Sequence, residues 1–127
     1  MTEPSRTEAR IAQMVFPEQA NHYGTLFGGE AMKMLDMAAF VAASRYCHQE
    51  VVTASIDRVD FDHPIRVGYL VEAIATVVRT GKTSIIVDVE LFSEDMLTGE
   101  RVRATRGEVT MVALDENRRP TPVTPLT

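Results

Sequence analysis

One stretch of this chain is suited to a helix and nearly everything after it to strands, an asymmetry that leaves few folds open. Across residues 28–48, glycine and proline vanish after Gly29, and Ala, Met and Leu dominate. These residues lose least conformational freedom in a helix. Met32, Leu35, Ala39, Ala42 and Tyr46 recur at three- and four-residue steps, and Ala38, Phe40, Val41 and Ala43 widen the stripe. The pattern predicts a helix buried over most of its circumference. Residues 51–61, 69–80, 83–93 and 101–114 are rich in β-branched side chains and predict four long strands. The turn signals Gly81-Lys82 and Thr98-Gly99 are too short for crossovers, so the pairing is antiparallel. A shorter strand near residues 11–15 precedes the helix.

Five antiparallel strands and one helix give an α+β fold in which the sheet buries one face. An alanine-rich helix surface lets a curved sheet approach closely and wrap around it. Such a sheet ends in long edge strands, which proteins pair or cover, so association through an edge is expected. At 127 residues the chain holds one domain. Residues 1–8 are polar and read as a frayed leader, 9–119 as the domain, and 120–127, with three prolines, as an extended tail.

Composition narrows the function classes. A net charge of -5 supplies no general attraction for nucleic acid, so a polyanionic ligand needs a local basic patch. The longest apolar run, residues 37–43, is far short of the roughly 20 residues that span a membrane. With no apolar leader and one cysteine, Cys47, the expected compartment is the cytoplasm. Three separated histidines, without a His-x-x-x-His or Cys-x-x-Cys pair, give no support to a metal site. No Gly-x-Ser-x-Gly elbow is present either.

The candidate chemistry lies around the helix start. Gly28 and Gly29 bring bare N–H groups to the helix N-terminus, where positive partial charge gathers and an oxyanion can bind. They also read as a plain turn and helix start. Asp36 is the only carboxylate between Glu30 and Glu50 and sits among Met32, Leu35, Met37, Ala39 and Phe40. Buried at an interface, it would have its pKa pushed upward, toward the range of a general base. Exposed, it would pair with Lys33. Asn21 can orient a water or a carbonyl through its amide, or serve as a turn residue before Gly24.

Several motifs occur in a specific order: Pro17, Asn21-His22-Tyr23-Gly24, Phe27-Gly28-Gly29, Met34-Leu35-Asp36, Val52-Thr53-Ala54-Ser55, a stretch from Phe61 through Pro64 to Gly68, Gly81-Lys82-Thr83-Ser84, and Val112-Ala113-Leu114-Asp115. Together they resemble the acyl-CoA hydrolases of the hotdog superfamily, the type that includes YciA and the cytosolic acyl-CoA hydrolases. The resemblance implies a hotdog fold and hydrolysis of a fatty acyl-CoA to free acid and coenzyme A. It implies that Asp36 is the catalytic carboxylate, as general base or nucleophile, and that Asn21 assists it across a subunit interface. Gly81, Lys82, Thr83 and Ser84 inherit contacts with coenzyme A, which enters as part of the substrate, so no separate cofactor is implied. A homodimer is expected, with a trimer of dimers as the larger assembly. Tyr69 departs from the family pattern, in which aspartate commonly follows the glycine. A hotdog acyl-thioester dehydratase and a non-catalytic acyl-CoA-binding module are the rival readings.

Overall fold

The computed structural model describes residues 5–126. It contains β1 (Glu8–Met14), a short 3-10 helix (Pro17–Gln19), α1 (Gly28–Cys47), β2 (Glu50–Phe61), β3 (Leu70–Thr80), β4 (Ser84–Glu94) and β5 (Arg101–Leu114). The strands form one sheet in the order β1-β3-β4-β5-β2, every neighbour antiparallel. Helix and strands fall where the sequence predicts them to within a few residues. Only the 3-10 turn at Pro17 is unforeseen.

The helix packs against all five strands. Alternation along β3 and β4 points Val71, Ala73, Ala75, Val77, Ile85, Val87, Val89 and Leu91 into the core, where they meet Leu35 and five buried helix alanines. Small side chains on the helix let the sheet come close. At Gly107 the approach is tight: a Cβ there would lie 3.1 Å from Leu35 Cδ1 and 3.4 Å from Val59 Cγ2. Irregular pairing in β2, β3 and β5 bends the sheet around the helix. The outer face carries charge pairs, among them Arg101 between Glu72 at 2.6 Å and Glu94 at 3.0 Å. The helix stops where His48 turns left-handed, at φ 54°, with its N–H donating to Ser44 O at 2.8 Å.

Three expectations need correction. The apolar stripe is misplaced at its edge: Phe40 lies with Gly29, Lys33 and Met37 on an exposed stripe, while Ala31 and Met34, outside the predicted stripe, are buried. The leader reaches too far, because β1 begins at Glu8 and Thr7 O accepts the Val77 N–H at 2.8 Å. Its polarity is that of an edge strand with only Ala9 buried; residues 1–4 lie outside the described residues. Residues 120–126 are extended but docked, with Val123 in the core cluster, and Thr127 lies outside the described residues.

The register fixes which ends of the elements are neighbours. Met14, Leu70, Glu94, Arg101 and Phe61 mark the end at which α1 begins. Thr80, Ser84, Leu114 and Glu50 mark the opposite end, at which α1 finishes.

Candidate active site

The helix start is built by a loop folded on itself and pinned to residues 65–67. Asn21 Oδ1 accepts the N–H groups of Tyr23 at 3.0 Å and Thr25 at 3.2 Å, and the Thr25 hydroxyl at 3.1 Å. Leu26 N–H donates to Ile65 O at 2.7 Å and Val67 N–H to Gly24 O at 3.0 Å. The first helical bond runs from Ala31 N–H to Phe27 O at 3.0 Å. Gly28, Gly29 and Glu30 therefore keep N–H groups with no backbone acceptor among the described residues. No side chain caps them. Neither Gly28 nor Gly29 has positive φ, and a Cβ at Gly29 would meet open space. The backbone here is one that any residue can adopt, and what the pair leaves is bare, accessible N–H groups.

Beside Gly28 lies a cavity of about 300 Å³, lined by Ala31, Phe61, His63, Ile65 and Thr105 among others. Asp36 projects from the helix roughly two turns further on. It is half-buried, and its Oδ1 accepts the Thr53 hydroxyl at 2.5 Å. No ion pair with Lys33 forms among the described residues, so the exposed-pair reading of Asp36 is not realised. Asn21 and Asp36 share no hydrogen bond within the chain; the Asn21 oxygen is committed to its own loop.

The turn of Gly81, Lys82, Thr83 and Ser84 lies at the opposite end of the sheet from Gly28 and Gly29. It is tight: Gly81 N–H donates to Ser84 O at 3.0 Å, and a Cβ on Gly81 would stand 2.5 Å from Ser84 Oγ. Lys82 and Thr83 N–H groups have no backbone acceptor among the described residues. The site residues thus fall into two groups that one chain does not bring together. At the strand start where the family pattern is broken, the Asp95 charge pushes the Tyr69 hydroxyl's pKa up. Asp95 itself is held below the usual carboxylate range, first by the Leu97 N–H.

Sequence reasoning assigned no role to Thr53 or to the cavity residues Phe61 and His63. The signal for Thr53 was available: it lies two residues from buried Val51, so the strand period puts it on the helix-facing side.

One long helix wrapped by a five-stranded antiparallel sheet is the hotdog fold. The chain belongs to the thioesterase superfamily, whose family model matches residues 23–100. It is 43% identical over 109 residues to the uncharacterized acyl-CoA thioester hydrolase YkhA of Bacillus subtilis, covering 86% of this chain and 63% of that one. A hexameric acyl-CoA thioesterase superposes with a TM-score of 0.93 at 40% identity, over 96% of this chain and 78% of the other. The acyl-CoA hydrolase of Staphylococcus aureus, solved with butyryl-coenzyme A and coenzyme A, gives a TM-score of 0.90 at 33% identity, over 94% and 73%. In that hydrolase an asparagine, an aspartate and a threonine have each been changed to alanine and the variants solved. They lie 15 and 17 residues apart in that order, the same separations as Asn21, Asp36 and Thr53.

Proposed function

We propose that this chain hydrolyses the thioester of an acyl-CoA, with Asp36 as general base, and that its sites are completed by a second copy. The observation that carries the reading is the Thr53-held carboxylate of Asp36 on the same helix as the unpaired N–H groups of Gly28 and Gly29. The N–H groups polarise the thioester carbonyl and take up the charge that develops on its oxygen. Asp36 removes a proton from water as the water oxygen bonds to the carbonyl carbon. Collapse of the tetrahedral intermediate breaks the C–S bond, and the proton leaves with the thiolate as free coenzyme A. No cofactor enters the reaction. Release of thiol from acyl-CoA, read with a thiol-reactive dye, tests the activity, and absence of turnover across acetyl to palmitoyl chains would sink it.

Thr53 fixes the carboxylate and is a positioning residue. Thr53→Val is expected to lower kcat by about 10- to 100-fold with little change in KM, since hydrogen bonds to charged groups are the stronger ones. Thr53→Ser keeps the hydroxyl and should restore most of the loss. A valine variant with wild-type kcat would remove Thr53 from the reaction.

An open edge strand supports the second copy. β2 is exposed along most of its 12 residues, and Phe27, Met37, Phe40, Val52 and Phe61 are large apolar side chains left open to solvent. Antiparallel pairing of β2 with its counterpart buries that edge. It also reverses the partner, so that the end carrying the partner's Gly81–Ser84 turn meets the end at which this chain's helix begins. The turn then supplies free N–H groups, two hydroxyls and the Lys82 ammonium to the phosphates of coenzyme A. Hexameric relatives support a larger assembly built on such dimers. Lys82→Ala is expected to raise KM for acyl-CoA severalfold while kcat changes little, because a phosphate-pairing lysine binds ground and transition states alike. An unchanged KM at low as well as physiological salt would place the phosphates elsewhere.

A further inference from the structure

We infer that residues 121–126 form a strap that fixes the coenzyme-binding turn and thereby sets affinity for the nucleotide part of the substrate. The inference rests on the assignment of that turn in the proposed function. The strap crosses the sheet end from β5 over the β3–β4 turn to β3. Thr121 N–H donates to Ala113 O at 2.9 Å, Val123 N–H to Lys82 O at 3.0 Å, and Leu126 N–H to Thr80 Oγ1 at 3.0 Å. Between these bonds the Tyr46 hydroxyl at the helix finish donates to Thr124 O at 2.6 Å, and the Arg6 guanidinium stacks 5.0 Å from the Tyr46 ring centroid.

Three features make this more than a loose end lying on a surface. Val123 is buried in the core cluster and Leu126 packs against it, so the strap is anchored on both sides of its contacts. Pro120, Pro122 and Pro125 restrict the backbone and reduce the entropy lost when the strap docks. Its central bond falls on the carbonyl of Lys82, a turn peptide that no strand partner holds. Fixing that carbonyl fixes the plane of the Lys82–Thr83 peptide, and so the direction of the Thr83 N–H and the path on which the Lys82 side chain leaves the turn.

The test compares wild type, Val123→Pro, Tyr46→Phe and Lys82→Ala on an acyl-CoA and on the matching acyl-pantetheine, which lacks the nucleotide. Val123→Pro keeps an apolar side chain, removes the N–H that holds Lys82 O and fixes φ at that position. Its KM for acyl-CoA should rise about two- to tenfold, the net worth of one hydrogen bond. Its kcat, and both constants for acyl-pantetheine, should stay near wild type. Tyr46→Phe should move KM the same way by less. A lowered Tm with the ratio of the two KM values unchanged would make the strap a cover for the core alone and overturn the inference. Tyr46→Phe decides the matter if Val123→Pro does not fold. Lys82→Ala separates failure of the coenzyme site from failure of the strap. If it leaves KM unchanged, the turn is not the coenzyme site and the underlying reading fails, taking this inference with it. If it raises KM and the strap variants do not, the strap inference alone fails.

Discussion

Replacing Asp36 by alanine is expected to lower kcat by about 10²- to 10⁴-fold, the usual contribution of a positioned general base. The fold should survive. Asp36 is only half-buried, its one side-chain partner among the described residues is Thr53, and Thr53 is itself exposed, with its hydroxyl also 3.6 Å from the buried Met111 Sδ. The change therefore strands no deeply buried polar group, and Tm should fall by a few degrees at most. Binding should be largely kept, because the N–H groups at the helix start and the Gly81–Ser84 turn are untouched. Steady-state kinetics alongside thermal unfolding separate the outcomes. An Asp36→Ala protein with near wild-type kcat would exclude the carboxylate from the reaction, whatever else the fold does.

Mixing two inactive proteins should restore activity. Asn21 and Asp36 share no hydrogen bond within one chain, and the Asn21 oxygen is held by its own loop. If Asn21 of one subunit serves Asp36 of the other, Asn21→Ala and Asp36→Ala are each inactive alone. After subunit exchange, a mixed dimer carries one intact site and one doubly damaged site. Random pairing makes half of the dimers mixed, so recovery should approach about a quarter of wild type when the two residues act as a unit. Mass spectrometry must show that exchange has taken place. Mixed dimers with no recovered turnover would mean that both residues act within one chain's site, and the shared arrangement would have to be given up.

The architecture was written locally, which is why it could be read. A run of Ala, Met and Leu without breakers fixes a helix, β-branched runs with short turns fix antiparallel strands, and both follow from backbone entropy and side-chain crowding within a few residues. The isolation of Asp36 on an apolar helix was equally visible, and the order of the glycine, asparagine and aspartate motifs indicated the family. The misreadings have a common origin. Phe40 counted as core because it is apolar and in period, yet it faces outward. Residues 7 and 8 looked frayed because an edge strand carries few buried residues, and residues 120–126 looked like a tail because prolines exclude a helix without saying where an extended chain docks.

Sequence period determines which residues share a face; it does not say what that face meets. That Thr53 bonds Asp36, that Val123 reaches Lys82, and that the Gly81–Ser84 turn stands at the far end from Gly28 depend on strand order and register across 17, 41 and more than 50 residues of chain. Propensity is a property of a few neighbouring residues, so the sequence by itself determined the elements, the family and the catalytic candidates. Only the packed sheet decided their partners, because those contacts form when distant segments are closed against one core.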